Sequence, residues 1–223
     1  MIFDFLKPLF IKKKKKLSAP WAKYYTDDEM NIKIPDISMY EQLKQSCIKY
    51  SNHIAYEYMG NNVKYKNYIK KIDRASVAFK KLGIKKGDIV NICLPNFPEA
   101  LHAVYGLNRI GAIAKMIHPL SAEEEIKESL VTTNSKILIM TDMLYNKIKN
   151  IIDSTNVEKV IFVSASNSLP IMMKLPYKII NIGKYEKYKK SKKFISWREF
   201  ILSGLNGKNI SFQNYGKNTP AVM

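Results

Sequence analysis

The sequence predicts an α/β protein: repeated strand–helix units around a mostly parallel sheet. Three observations predict it. Short apolar runs of strand length, such as 89–94 and 159–163, alternate with longer segments of helical periodicity. The apolar runs lack polar alternation, which is the pattern of strands buried on both faces. Glycines and capping residues fall between the runs, as helix stops and starts require. Strand, helix and strand in succession imply parallel pairing through right-handed crossovers.

Each element follows from local chemistry. Ser38 and Glu41 have capping-box spacing, and Tyr40, Leu43, Cys47 and Tyr50 follow at helical intervals. The runs 54–58 and 63–65 flank Gly60-Asn61-Asn62 and read as a hairpin. Residues 66–82 place Ile69, Ile72, Ala75, Val77, Ala78 and Phe79 at helical spacing, with Gly83 where a helix C-terminus belongs. Gly87-Asp88 turns the chain into the strand 89–94. Asn96, Pro98 and Glu99 mark a helix start with Asn96 as cap, and Gly111 stops that helix. A strand at 112–117 follows. Ser121 with Glu124 has capping-box spacing again, and Glu123, Glu124 and Glu125 suit the positive end of a helix dipole.

Strands at 136–140 and 159–163 flank a helix at 143–152. Beyond Ser164 the regularity fades. Residues 172–182 are read as one more strand, 184–193 as a Lys/Tyr-rich surface loop, and 195–202 as a short helix. Residues 204–217 read as a linker, and 219–223 as the opening of a strand. The organisation expected is a basic tail and lead-in over 1–37 and a domain over 38–223.

Composition excludes several classes. With 46% hydrophobic and 25% charged residues, a chain of 223 buries a core and is not disordered. Two cysteines exclude a disulfide scaffold or a Cys-rich zinc module and suit a reducing, cytoplasmic compartment. The net charge is +18, yet only Arg74, Arg109 and Arg198 are Arg. Specific phosphate readers lean on Arg forks. The excess of Lys, with many Ile and Asn, fits drift toward A/T-rich codons, and nucleic acid is not expected as a partner.

The tail opens with an apolar run broken by Pro8, then Lys12, Lys13, Lys14, Lys15 and Lys16. A secretory signal puts its charge first, and a membrane span needs ~20 apolar residues, so neither is expected. The tail has two readings: a solvated charge run, which is preferred, or a peripheral membrane contact in which those five lysines meet anionic headgroups.

Chemical motifs are few. His53, His102 and His118 have no metal-ligand partners at the right spacing. His118 is read as a loop residue beside Pro119, and Cys47 and Cys93 as buried small hydrophobes. No nucleophile elbow and no glycine-rich phosphate loop occurs. No catalytic, cofactor-binding or metal residue is therefore assigned.

One stretch is more specific than its chemistry. Leu82-Gly83-Ile84-Lys85-Lys86-Gly87-Asp88-Ile89-Val90 leads to Leu94-Pro95-Asn96-Phe97-Pro98-Glu99. Tyr105-Gly106-Leu107-Asn108-Arg109-Ile110-Gly111-Ala112 and His118-Pro119-Leu120 follow in order. This pattern, over roughly 38–163, resembles the N-terminal part of the AMP-forming adenylating enzymes, which include acyl-CoA synthetases, luciferases and peptide-synthetase adenylation domains. Upstream, Val63-Lys64-Tyr65-Lys66-Asn67-Tyr68 is similar to the family's strand-to-helix element but places Asn67 where an acidic residue is common, and His118-Pro119 departs from the usual Asn-Pro.

The resemblance implies the N-terminal portion of the large domain of an acyl-CoA synthetase. The whole enzyme would use ATP, Mg2+ and CoA to activate a carboxylic acid, with fatty acids among the candidates. The family's Ser/Thr/Gly-rich phosphate loop would follow a strand like the one opening at 219–223, so this fragment alone is expected to bind no cofactor and to be inactive. The alternatives are a peptide-synthetase adenylation fragment and a non-catalytic basic module on an anionic membrane or nucleic acid.

Overall fold

The computed structural model describes residues 19–205, 207 and 210–223. The five tail lysines lie outside them. The chain divides into one unit up to Pro35 and a second from Asp36 to Met223. In the first, Thr26 and Glu29 cap the short helix α1 (Asp27–Met30) reciprocally, with bonds of 2.8 and 3.3 Å.

The second unit opens with α2 (Met39–Lys49), started by Ser38, whose hydroxyl accepts from the Glu41 amide at 3.2 Å. The hairpin β1 (Ile54–Tyr58) and β2 (Asn61–Lys64) follows, then α3 (Tyr65–Lys81). The chain reverses through Met59 and Gly60, with φ of 52° and 81°. Two positive φ values define the tight turn that matches strand twist, so the reversal sits one residue earlier than Gly60-Asn61-Asn62. Gly83 (φ 83°) closes α3, with Ile84 N–H bonding Phe79 O and Gly83 N–H bonding Lys80 O.

The main sheet holds β3 (Ile89–Cys93), β4 (Ile113–Met116), β5 (Ile137–Thr141), β6 (Lys159–Val163) and β7 (Phe194–Ser196). All pair in parallel, in the order β4-β3-β5-β6-β7. Between them run α4 (Pro98–Arg109), α5 (Glu123–Thr132), α6 (Tyr145–Ile148) and α7 (Ile171–Ile180), and α8 (Trp197–Ser203) follows β7.

Alternate strand residues serve two cores. Val90, Ile92, Ile139, Ile161 and Val163 meet Phe79 of α3, Leu107 of α4 and Phe200 of α8. Cys93, Leu138, Met140, Val160 and Phe162 meet Ile126 and Leu130 of α5 and Ile148 of α6. Helices cover both faces, which is why the strands carry unbroken apolar runs. A third cluster of Tyr40, Cys47, Val63, Tyr68 and Ile72 seats α2 and the hairpin on α3.

Several elements differ from expectation. Phe97, not Asn96, precedes α4, and no side chain caps it; Pro98 supplies the preset φ instead. At the start of α5 the Ala122 amide donates to Glu125 Oε2 (3.2 Å), a one-way contact one residue beyond the expected Ser121–Glu124 pair. The 143–152 helix is broken into α6 between two 3-10 turns.

Residues 172–182 form α7 rather than a strand. The place beside β6 is taken by β7, so no sheet edge is left for that run there, and none of α7's side chains is buried. Residues 194–196 are strand, and the helix starts after them, where Ser196 accepts from the Glu199 amide at 3.2 Å. The 204–217 stretch has no helix or strand among its described residues, yet it is packed: Phe212 lies against the core and Tyr215 against Gly111. In the surface loop 184–193, Tyr188 stacks on Phe162 at 4.1 Å.

The opening strand at 219–223 pairs with the sheet, Val222 bridging Ala114 in parallel. Both cysteines are buried and free, and burial pushes the Cys93 thiol up to about 11. Among the described residues, no helix is long and apolar enough to cross a membrane.

Candidate functional site at the carboxyl edge of the sheet

The strand order reverses at β3. The chain steps from β3 to β4 on one side, then crosses back to β5 on the other. Loops after β3 and β5 thus leave in opposite directions, and such a switch point is where open α/β sheets receive ligands.

Four loops form this edge: 94–97, 117–122, 142–144 and 164–170. Glu99, in the first turn of α4, is 4% exposed, and Ser168 donates to it from the loop after β6 at 2.6 Å. Burial raises the Glu99 carboxyl above its ordinary range, against the opposing pull of Ser168, Lys71 and Lys174. His102, farther along α4, is 2% exposed and shares a 3.2 Å hydrogen bond between Nε2 and the Tyr56 hydroxyl. Burial drives His102 down to about 3, so the ring is neutral.

At the end of β5, Thr141 is buried beside the Asp142 carboxyl. Next to it, burial raises the Asp142 carboxyl despite hydrogen bonding from Ser164.

Two clefts flank the 164–170 loop. One, of about 430 Å³, is lined by Lys71, Arg74, Lys174, Lys178 and Arg198, with Glu99 and His102 at its wall. The other, of about 500 Å³, is lined by Asp142, Ser164, Tyr177, Tyr185 and Tyr188. They share Ser166 and Lys178.

His118 is exposed, and its Nδ1 accepts from the Leu120 amide at 3.2 Å, which is a turn role. Glu125 is a helix cap, and no group of three or more His, Cys, Asp or Glu among the described residues could hold a metal ion. None of the four edge loops contains glycine. The described residues therefore do not by themselves fit the triphosphate of ATP, which needs a cradle of close backbone amides. The Glu99–Ser168 and His102–Tyr56 pairs went unseen in the sequence. Their partners lie 69 and 46 residues apart, and only the helix-start role of Glu99 was local.

The fold is that of the adenylate-forming ligases. A crystal structure of an anthranilate CoA ligase in complex with anthranoyl-AMP matches with a TM-score of 0.67 at 14% identity, covering 85% of this chain and 32% of that one. A long-chain-fatty-acid-CoA ligase from Archaeoglobus fulgidus matches with a TM-score of 0.63 at 18% identity, covering 86% and 34%.

The family model described as AMP-binding enzyme matches residues 43–185, and the chain belongs to that family. A Bacillus subtilis long-chain-fatty-acid–CoA ligase is 23% identical over 71% of this chain and 28% of its own length. An Escherichia coli acetyl-coenzyme A synthetase is 30% identical over 63% of this chain and 22% of its own length. The match spans between 12% and 28% of the length of such curated relatives.

Proposed function

We propose that this chain is the N-terminal portion of an AMP-forming acyl-CoA synthetase. Residues 38–223 would be part of its large domain, and 1–37 a basic lead-in. The observation that carries the reading is the family match over 43–185 on a doubly covered parallel sheet. The whole enzyme would join a carboxylate to ATP with Mg2+, release pyrophosphate, and pass the acyl group from the adenylate to CoA. Adenylation turns a poor leaving group into a good one, which is the reason ATP is consumed.

The part of this chain is positional. Its sheet forms one wall of the domain. Ala221 and Met223 add a parallel neighbour to β4, whose carboxyl end points to the same edge as the other loops. In the family, the phosphate loop follows such a strand. The compartment in this reading is the cytoplasm. Contact of Lys12, Lys13, Lys14, Lys15 and Lys16 with anionic lipid is a separable part of it, tested by flotation with and without residues 1–17.

The test is carboxylate-dependent pyrophosphate release with ATP and Mg2+. The 223-residue chain alone should release none, whereas the same chain joined to the rest of its reading frame, or mixed with a companion polypeptide carrying a phosphate loop, should. Activity of the chain alone overturns the assignment as a portion. Inactivity of the complete assembly toward every carboxylate overturns the reaction.

A further inference from the structure

We propose that the cleft between α3, α7 and α8 is a binding site for the phosphate group of a small phosphorylated molecule. Its walls bring together five cations: Lys71 and Arg74 from α3, Lys174 and Lys178 from α7, and Arg198 from α8. Glu99 is the one carboxylate lining the cleft among the described residues, and its carboxyl is already engaged by Ser168.

Glu99 offsets Lys71 and Lys174 in part, which leaves a net positive cleft. Lys71, Arg74, Lys174, Lys178 and Arg198 take part in none of the ion pairs among the described residues. Lys174 and Lys178 are four residues apart on one helix, and Lys71 and Arg74 three apart on another. Like charges at those spacings oppose helix formation. Here two such pairs line one cleft. Burial lowers the Lys71 ammonium pKa; Glu99 opposes that shift, and Lys174 and Arg74 add to it. A dianionic phosphate relieves all of these repulsions at once, and forked Arg donors suit it.

The volume of about 430 Å³ suits a nucleotide-sized molecule. Trp197 and Ile201 supply an apolar wall beside the charges. The site stands apart from the adenylation reading and uses none of its steps.

A phosphate group here could belong to a soluble molecule or to a lipid headgroup, and the test separates them. The purified 223-residue chain is titrated calorimetrically with pyrophosphate and with AMP, and floated with phosphatidylcholine vesicles with and without phosphatidic acid. The wild type should bind at least one of these saturably, more weakly as salt rises. Soluble binding identifies a small-molecule ligand; binding to phosphatidic acid vesicles alone identifies a headgroup.

Arg74→Gln, Lys178→Gln and Arg198→Gln change exposed side chains and should each weaken binding about tenfold. The charge-matched single controls Lys184→Gln and Lys189→Gln should each leave it unchanged, with the circular dichroism spectrum retained throughout. No binding to any probe, or equal losses in the cleft and control variants, overturns the proposal.

Discussion

Ser168 donates its hydroxyl proton to Glu99 at 2.6 Å, and both residues are buried. The bond ties the loop after β6 to the first turn of α4, across the carboxyl edge of the sheet. Ser168→Ala leaves a buried carboxyl without that donor and should cost about 1–3 kcal/mol, read as a lower urea midpoint with an unchanged slope.

The two buried titratable groups on α4 act at different pH. Glu99 has its folded pKa raised above the ordinary 4.5, so its contribution is full below pH 4.5 and is lost as pH rises through the folded pKa. His102 has its folded pKa lowered from 6.5 to about 3, so its contribution is full above pH 6.5 and is lost as pH falls toward 3. Glu99→Gln should remove the first loss and His102→Gln the second, in urea titrations across that range. The His102 ring resonances in wild type should not shift between pH 8 and pH 5; a titration there would show the ring is not desolvated.

Arg109 links three elements. It pairs with Asp73 at 2.9 Å, and its guanidinium lies over the rings of Tyr40 (4.9 Å) and Phe212 (3.8 Å). Tyr40 donates to the same Asp73 at 2.7 Å. Arg109→Lys keeps the charge but loses the planar contact, and should lower stability by about 1–2 kcal/mol in chemical denaturation. A neutral result would mean the stacking contributes nothing.

Gly204 follows α8 where a Cβ would run into the Arg74 carbonyl oxygen on α3. Gly204→Ala must push α8 from α3 and should cost about 1–3 kcal/mol, seen as a drop in Tm. Gly60→Ala meets no neighbour, and strain at its φ of 81° is the sole cost there.

Cys93 should resist iodoacetamide at pH 8 in the native state and react on unfolding. Its thiol is buried, and its pKa is pushed up to about 11 by desolvation. Rapid native labelling of Cys93 would contradict its place in β3.

The sheet and its crossovers were legible because their signals are local: apolar runs, caps and glycines read within a few residues. The misread segments depend on distant partners. The apolar residues at 171–182 lie on a surface helix, and only the arrival of β7 at the edge beside β6 settles which of the two is strand. Phe212 and Tyr215 sit in a polar stretch that looks like a linker, but they pack on Arg109 and Gly111 from an earlier helix and its end. The edge pairs were unreadable for the same reason. Glu99 is spelled like any acidic helix start, and its burial comes from a loop that folds over it.

The bonds between β4 and the residues after Pro220 also bear on how the protein behaves in crowded solution. Ala114 N–H to Ala221 O, Met223 N–H to Ala114 O and Met116 N–H to Met223 O occupy the outer side of β4. An open strand margin recruits strands from other chains, and natural folds cover it, shorten it or line it with lysine. The opposite margin is protected in the last two ways, since β7 spans Phe194–Ser196 and follows Lys192 and Lys193. Recruitment of other chains is therefore opposed at β7 by brevity and charge, while β4 itself is covered by three backbone bonds.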